Sequence, residues 1–390
     1  MQTKEFKAVL LGAYGWENLG DDALMTAYVN VLKDHCGIED IAVQAYHSSY
    51  VKRLCPGVSI FDRESTGKIS CQLLVYGGGT QFYSFERTRK CLKNKISAFL
   101  QSSVKQKLKT VRNVFEKHTR KPSTVKSSIP IFNAMKTCAV GIGIGPFVAG
   151  SSEVDNTRRK LKEMDYISVR DPLSASWCTT WQIPFQEYTD ICFDPVILNL
   201  KLPSETRHNP VKRTGFIIRD WRHTREGMKI PASIREAVKF LRKNDDLPAY
   251  FSFCANTDKR WISNLTTDRE SLYIWRPMQM NLNDYLINLS TCDVIVTQRY
   301  HGLIFAAMQG IPVIAAGVDP KLIKGAEAVG LDDYIWYPPF SFKDLIRLIE
   351  QVRYHKDDIS DRVRMKTADL AQTAQNMINH FVSYAETEVF

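Results

Sequence analysis

TQRYHGLIFAAMQGIPVIAAGVDPK, residues 297–321, decides the fold. Its first residue closes the apolar, β-branched run CDVIVT (292–297); LIFAAMQG (303–310) then reads as a tight helix stopped by Gly310, and IPVIAAG (311–317) as a second strand. A strand, a helix and a further strand in close succession make one unit of a parallel α/β sheet. In such sheets ligands bind beyond the carboxyl ends of the strands, where a helix N-terminus favours anions. Arg299, His301 and Lys321 all fall at those ends. Taken singly, an arginine there is equally a salt-bridge partner, and a histidine a hydrogen-bonded core residue. Together they read as a corner for a small, highly anionic ligand, with one group able to move a proton near neutral pH.

Working outward, the same alternation fills both halves of the chain. On the carboxyl side come TGFIIRD (214–220), AYFSFC (249–254) and SLYIWR (271–276) as strands, separated by helical patterns. Arg219 ends the first of these as Arg299 follows CDVIVT and Lys321 follows IPVIAAG, which puts three permanent cations on one rim, enough for a ligand carrying about three negative charges. On the amino side KAVLLGA, IAVQAYH, CQLLVYGGG, KTCAVGIGIGP and YISVRD read as strands, and Asn18 to Asp22 open an amphipathic helix. A Pro-, Asn- and Ser-rich stretch near 196–212 lacks long periodicity and reads as the connection. The 390 residues thus divide into 1–196 and 212–390. The expected architecture is α/β: two Rossmann-like, doubly wound domains facing across a cleft, of glycosyltransferase-B type, with a terminal helix long enough to cross back.

The amino-side turns carry the other candidate residues. Glycine allows close backbone approach, so Gly78 and Gly79 of YGGG are candidates for substrate contact. No turn matches G-x-G-x-x-G, and GIGIGP ends in a residue without an N–H, so a dinucleotide site is not expected. Asn18 and Asp21 stand at a helix start facing the cleft, where a carboxylate is either a cap or a group for a substrate hydroxyl.

Composition bounds the rest. With 44% hydrophobic and 24% charged residues the chain is globular, and no stretch approaches the ~20 apolar residues of a membrane span. Its N-terminal apolar run reads as a strand rather than a signal peptide. Nine cysteines, an odd number with no CxxC pair, indicate free thiols and no zinc site. A cytoplasmic protein is expected. The net charge of +10 is concentrated in residues 86–126, where thirteen Lys and Arg face two Glu, a net of +11. Ile96, Phe99, Leu100, Val104, Leu108, Val111 and Phe115 recur there at helical spacing. A basic amphipathic helix suits an anionic membrane surface, at the inner face of the cell membrane, and equally a solvated insertion docked on its host domain. Two phenylalanines are too few for a nucleic-acid stacking platform, so no nucleic acid is expected.

GAYGWENLGDDAL, LVYGGG, AVGIGIGP, YISVRDPLS, FDPV and RYHGLIFAAMQGIPVIAAGVDPK, in this order from about residue 8 to residue 325, resemble the motif series of the polysaccharide pyruvyl transferase family. The last motif is the most specific. Tyr300 stands where RLHG is commoner, and Asp22 where GDE is commoner. The resemblance implies transfer of the enolpyruvyl-derived unit of phosphoenolpyruvate onto sugar hydroxyls of a polysaccharide or its precursor, usually as a pyruvate ketal. It requires no metal and no cofactor beyond that donor. Under it Arg219, Arg299 and Lys321 would hold phosphoenolpyruvate, and His301 would act as general acid. Asp21, with Asn18, Gly78 and Gly79, would face the acceptor, a sugar or oligosaccharide that the basic segment suggests is lipid-linked. The rival readings are a nucleotide-sugar-dependent glycosyltransferase of the same architecture and a non-catalytic membrane-associated scaffold.

Overall fold

A computed structural model describes residues 4–62, 67–84, 131–202, 211–221, 223–264 and 271–390. The basic segment 86–126 lies outside the described residues.

Two parallel sheets organise the chain. The first contains β1 (Lys4–Leu11), β2 (Ile41–Gln44), β3 (Ser59–Phe61), β4 (Lys68–Gly77), β5 (Thr80–Phe82), β6 (Ile131–Ile144), β7 (Tyr166–Val169) and β8 (Gln186–Glu187). Its spatial order is β3-β2-β1-β4-β6-β7-β8, with β5 pairing beside β6. The second contains β9 (Thr214–Ile218), β10 (Ala249–Ser252), β11 (Leu272–Ile274), β12 (Val294–Thr297), β13 (Val313–Ala316) and β14 (Ile335–Trp336), in the order β11-β10-β9-β12-β13-β14. Both are doubly wound, and the order reverses between β1 and β4 and again between β9 and β12. Strands covered on both faces read as unbroken apolar runs. All five residues of β9 and all four of β12 are buried accordingly. Register levels the strand ends: Thr297 pairs with Ile217 on one side and Ala315 on the other, so the residues after β9, β12 and β13 leave the sheet together.

The helix Leu19–Asn30 differs from the amphipathic pattern expected of it, being buried on nearly every side, Asp22 included. The physical reason is that it is wedged between the two sheets rather than lying on one. Its Leu19 N–H donates to Phe253 O at 2.9 Å, an amide from the first domain closing on a carbonyl just past β10. Arg53 reinforces the junction, donating to the carbonyls of Pro277 and Met280 at 2.5 and 2.9 Å. The terminal helix Lys356–Glu388 runs back to the first sheet, where Phe381 and Tyr384 pack on Tyr166 with ring centroids 5.9 and 5.0 Å apart. One continuous apolar core therefore joins the two sheets. Among the described residues no helix is long and apolar enough to cross a membrane. The eight described cysteines are free thiols.

Candidate active site

The points where strand order reverses open a crevice at the carboxyl ends of the central strands, and here the two crevices face one another. Between them lies a cavity of about 180 Å³. Asn18, Asp21, Gly79, Arg219, Arg299, His301 and Lys321 all line it. Gly78 does not. It sits one layer behind with φ +58, and a Cβ there would meet Leu24 Cδ2 and Tyr28 Cε2 at 2.8 Å. It serves the turn that brings Gly79 to the wall.

The cations are less available than their number suggests. Arg299 donates Nη2 to Asp258 at 2.7 Å and to Thr257 at 3.2 Å, and Nε to Ile218 O at 3.2 Å. Asp258 is fully buried and is itself held by Ser252 at 2.9 Å. A fourth cation, Arg170, enters from the end of β7: Nη1 pairs with Asp190 at 2.6 Å and Nη2 bonds Thr80 at 2.9 Å. Lys321 Nζ lies 3.6 Å from Asp319 and 3.4 Å from Thr80. Arg219 has no carboxylate in ion-pair range among the described residues; its guanidinium lies over Trp221, 5.0 Å from the ring centroid. The three cations expected on one rim all line the cavity, and two of them have a carboxylate within ion-pair distance. Arg299 and Lys321 arrive already opposed by Asp258 and Asp319, because cations drawn together and taken out of water need counter-charges. Burial lowers the pKa of Lys321 and of Arg219, the latter also pressed by Arg299. Burial opposes ionisation of Asp190, but Arg170 and then His301 overcome it and hold the carboxyl well below the usual range.

His301 bridges the domains. Its Nε2 is buried without a hydrogen bond, 3.7 Å from Asp190 Oδ2. Its Nδ1 lies against Gly20, where a Cβ would come within 2.2 Å. That contact requires glycine at the start of the first helix. Beside it, burial raises the pKa of Asp21, an effect partly offset by His301, by the bond from Asn18 Nδ2 at 2.5 Å, and by Lys321 and Arg299.

A family model described as polysaccharide pyruvyl transferase matches residues 18–320. The chain belongs to the polysaccharide pyruvyl transferase family. No curated protein matches the sequence. Among solved structures the fold is similar to Anabaena HepE in complex with UDP and glucose, at 9% identity and TM-score 0.52, covering 98% of this chain and 100% of that one. It is similar also to the S. aureus MnaA–UDP structure, at 10% identity and TM-score 0.56, covering 98% and 97%. The UDP-GlcNAc 2-epimerase of Neisseria meningitidis bound to UDP-GlcNAc gives 11% identity and TM-score 0.54, covering 98% and 100%. At such identities these likenesses establish a shared glycosyltransferase-B fold and nothing more.

Within this pyruvyl transferase, Arg170, Asp190, Asp258 and Thr80 are site residues that the sequence reading passed over. Arg170 carried a usable signal, since it ends a strand as Arg219 and Arg299 do. Tyr300, where the family commonly has leucine, places its ring 4.9 Å from the Arg170 guanidinium, a cation–π contact at the cavity wall. Asp190, Cys192 and His301 offer ligand atoms within 4.8 Å of one another. They suit a metal poorly, because Asp190 Oδ2 is already taken by Arg170.

Asp22 faces away from this chemistry. Fully buried, it accepts from Tyr50 at 2.9 Å and, across the domain junction, from Trp275 Nε1 at 2.8 Å. Burial pushes its pKa up to about 8 despite those donors. An unfolded aspartate titrates near ~4, so between about pH 4 and pH 8 the folded protein binds the extra proton, and this group's contribution makes stability fall as pH rises. Asp22→Asn is expected to flatten the dependence of the unfolding midpoint on pH across that window. Parallel wild-type and variant profiles would show that Asp22 is not the group responsible.

Proposed function

We propose that the cavity binds phosphoenolpyruvate and that the enzyme transfers its three-carbon unit to a sugar diol. The observation that carries this reading is the convergence of Arg170, Arg219, Arg299 and Lys321, from both domains, on a cavity of about 180 Å³. That space is below the ~300–1,000 Å³ of sites for drug-sized ligands and suits a compact, multiply charged donor better than a nucleotide sugar. Arg219, which has no carboxylate within ion-pair distance among the described residues, is the first anchor. Arg299 spends Nε and Nη2 on the protein, which leaves Nη1 for a phosphate or carboxylate oxygen.

The chemistry balances without an oxidant. One acceptor hydroxyl adds to C2 of the enol while C3 takes a proton; the C2–O bond to phosphate breaks, phosphate leaves with its electron pair, and a second hydroxyl closes the ketal. Two protons leave the hydroxyls, one ending on C3 and one on phosphate. In our reading His301 acts as the imidazolium: Nδ1 delivers its proton and is left bare, Nε2 keeps its hydrogen toward Asp190, and Asp21 receives a proton from the acceptor hydroxyl. A carboxylate whose pKa is raised by burial is a stronger base than an exposed one. Arg219→Ala is expected to weaken phosphoenolpyruvate binding about a hundredfold, as read by calorimetry. Unchanged affinity would remove the donor assignment.

The acceptor carrier and the location also belong to this reading: a lipid-linked saccharide, met by a cytoplasmic enzyme peripheral to the inner membrane face. The support is the +11 segment 86–126. Deleting residues 96–121 is expected to abolish binding to anionic vesicles, and undiminished co-sedimentation would refute it.

A further inference from the structure

Trp16 stands 44% exposed in the loop between β1 and the first helix. Ala13 and Asn18 of that same loop line the cavity, and two peptide units limit the Trp16–Asn18 Cα separation to about 7.6 Å. A large indole left in solvent this close to a reacting centre is not explained by the core or by the donor site.

The loop holds it there by construction. Gly15 has φ +90, and a Cβ on it would meet Tyr46 N at 2.3 Å. Glu17 adopts φ +53, a region a side chain normally avoids and keeps only where its surroundings impose it. Its N–H donates to Tyr50 at 2.8 Å, and Cys254 Sγ donates to Trp16 O at 3.8 Å. The indole rests against Tyr46, ring centroids 4.0 Å apart, with His47 edge-on at 6.4 Å. Tyr46 covers one side, so the exposure belongs to the remainder of the indole.

A pyranose has an apolar face of axial C–H bonds carrying slight positive charge, which complements the negative face of an aromatic ring; its equatorial hydroxyls stay at the edge for polar partners. We propose that Trp16, backed by Tyr46 and flanked by His47, is a stacking platform for the sugar ring of the acceptor adjoining the one that enters the cavity. This rests on the reading above that Asp21, at the start of the helix that follows this loop, faces the acceptor hydroxyl, and it adds the requirement for a second ring. It makes the enzyme selective for oligosaccharides over single sugars.

The test uses the full chain labelled with 5-fluorotryptophan, the Trp16 resonance being assigned by its loss in Trp16→Phe. Lactose, β-mannobiose and chitobiose are titrated separately, each beside its methyl monosaccharide. The expected result is a saturable shift of the Trp16 signal with at least one disaccharide and a weaker one with its monosaccharide. Affinity for that disaccharide then falls about tenfold in Trp16→Ala and is largely regained in Trp16→Phe. A Trp16 signal unmoved by all three disaccharides overturns the proposal. So does a Trp16→Ala protein that binds the responsive disaccharide as the wild type does, or one that only changes oligomeric state in sedimentation, which would make the indole a contact between copies. Sugar binding is read without donor, so failure of phosphoenolpyruvate to bind would sink the functional reading while leaving this result to stand by itself.

Discussion

His301→Ala is expected to lower kcat for phosphate release from phosphoenolpyruvate by roughly 10²–10⁴-fold, the usual range for a lost general acid, while donor affinity changes little. The expectation follows from how the two ring nitrogens are placed. Nε2 is buried and faces Asp190 at 3.7 Å. Asp190 is held ionised by Arg170, so an Nε2–H is favoured there. Nδ1 lies against Gly20, which lines the cavity beside Asp21. Replacement by alanine removes the proton carrier and leaves every cation in place, and that is why binding should survive. Single-turnover kinetics at saturating donor, beside calorimetric donor affinity, separates the possible roles. Weakened binding with kcat retained at saturation would make His301 a phosphate ligand and not the acid. A rate within about threefold of wild type with unchanged binding would remove it from the chemistry altogether.

The corner 297–321 was legible because its information is local. Strand, turn and helix follow one another within a few residues, and Arg299 and His301 are fixed by where the strand stops. The counter-charges were not legible for the opposite reason. Asp258 falls at the start of the helical pattern TDKRWISNL and Asp190 at the start of a stretch without long periodicity, and each becomes part of the site only when folding brings up an arginine 41 or 20 residues away. Nor could the helix Leu19–Asn30 be read as buried throughout. Asp22 lies among its polar positions, and the group that buries it, Trp275, is 253 residues distant. Sequence periodicity reports which face of a helix meets its own domain; it is silent about a second domain closing over the other face.

Arg170→Met is expected to cost about 3–5 kcal/mol of stability, the usual penalty for leaving one member of a buried ion pair without its partner. Arg170 is 4% exposed and Asp190 fully buried. Without the guanidinium, burial would dominate and the Asp190 carboxyl would rise from its depressed value. A carboxylate depressed in the folded state contributes stability above its unfolded pKa of ~3.9 that is lost as pH falls. The deficit of the variant should therefore be greatest near neutral pH and narrow on acidification. Removing both charges together, Arg170→Met with Asp190→Leu, should restore most of the stability, because apolar groups of similar volume carry no desolvation cost. It should not restore activity, since Arg170 lines the cavity and Asp190 faces the histidine. Denaturant unfolding at two pH values and phosphate release on the same three proteins decide the matter. If the double variant is no more stable than the single one, packing and not charge explains the loss; if it turns over like the wild type, the pair belongs to the scaffold and not to the site.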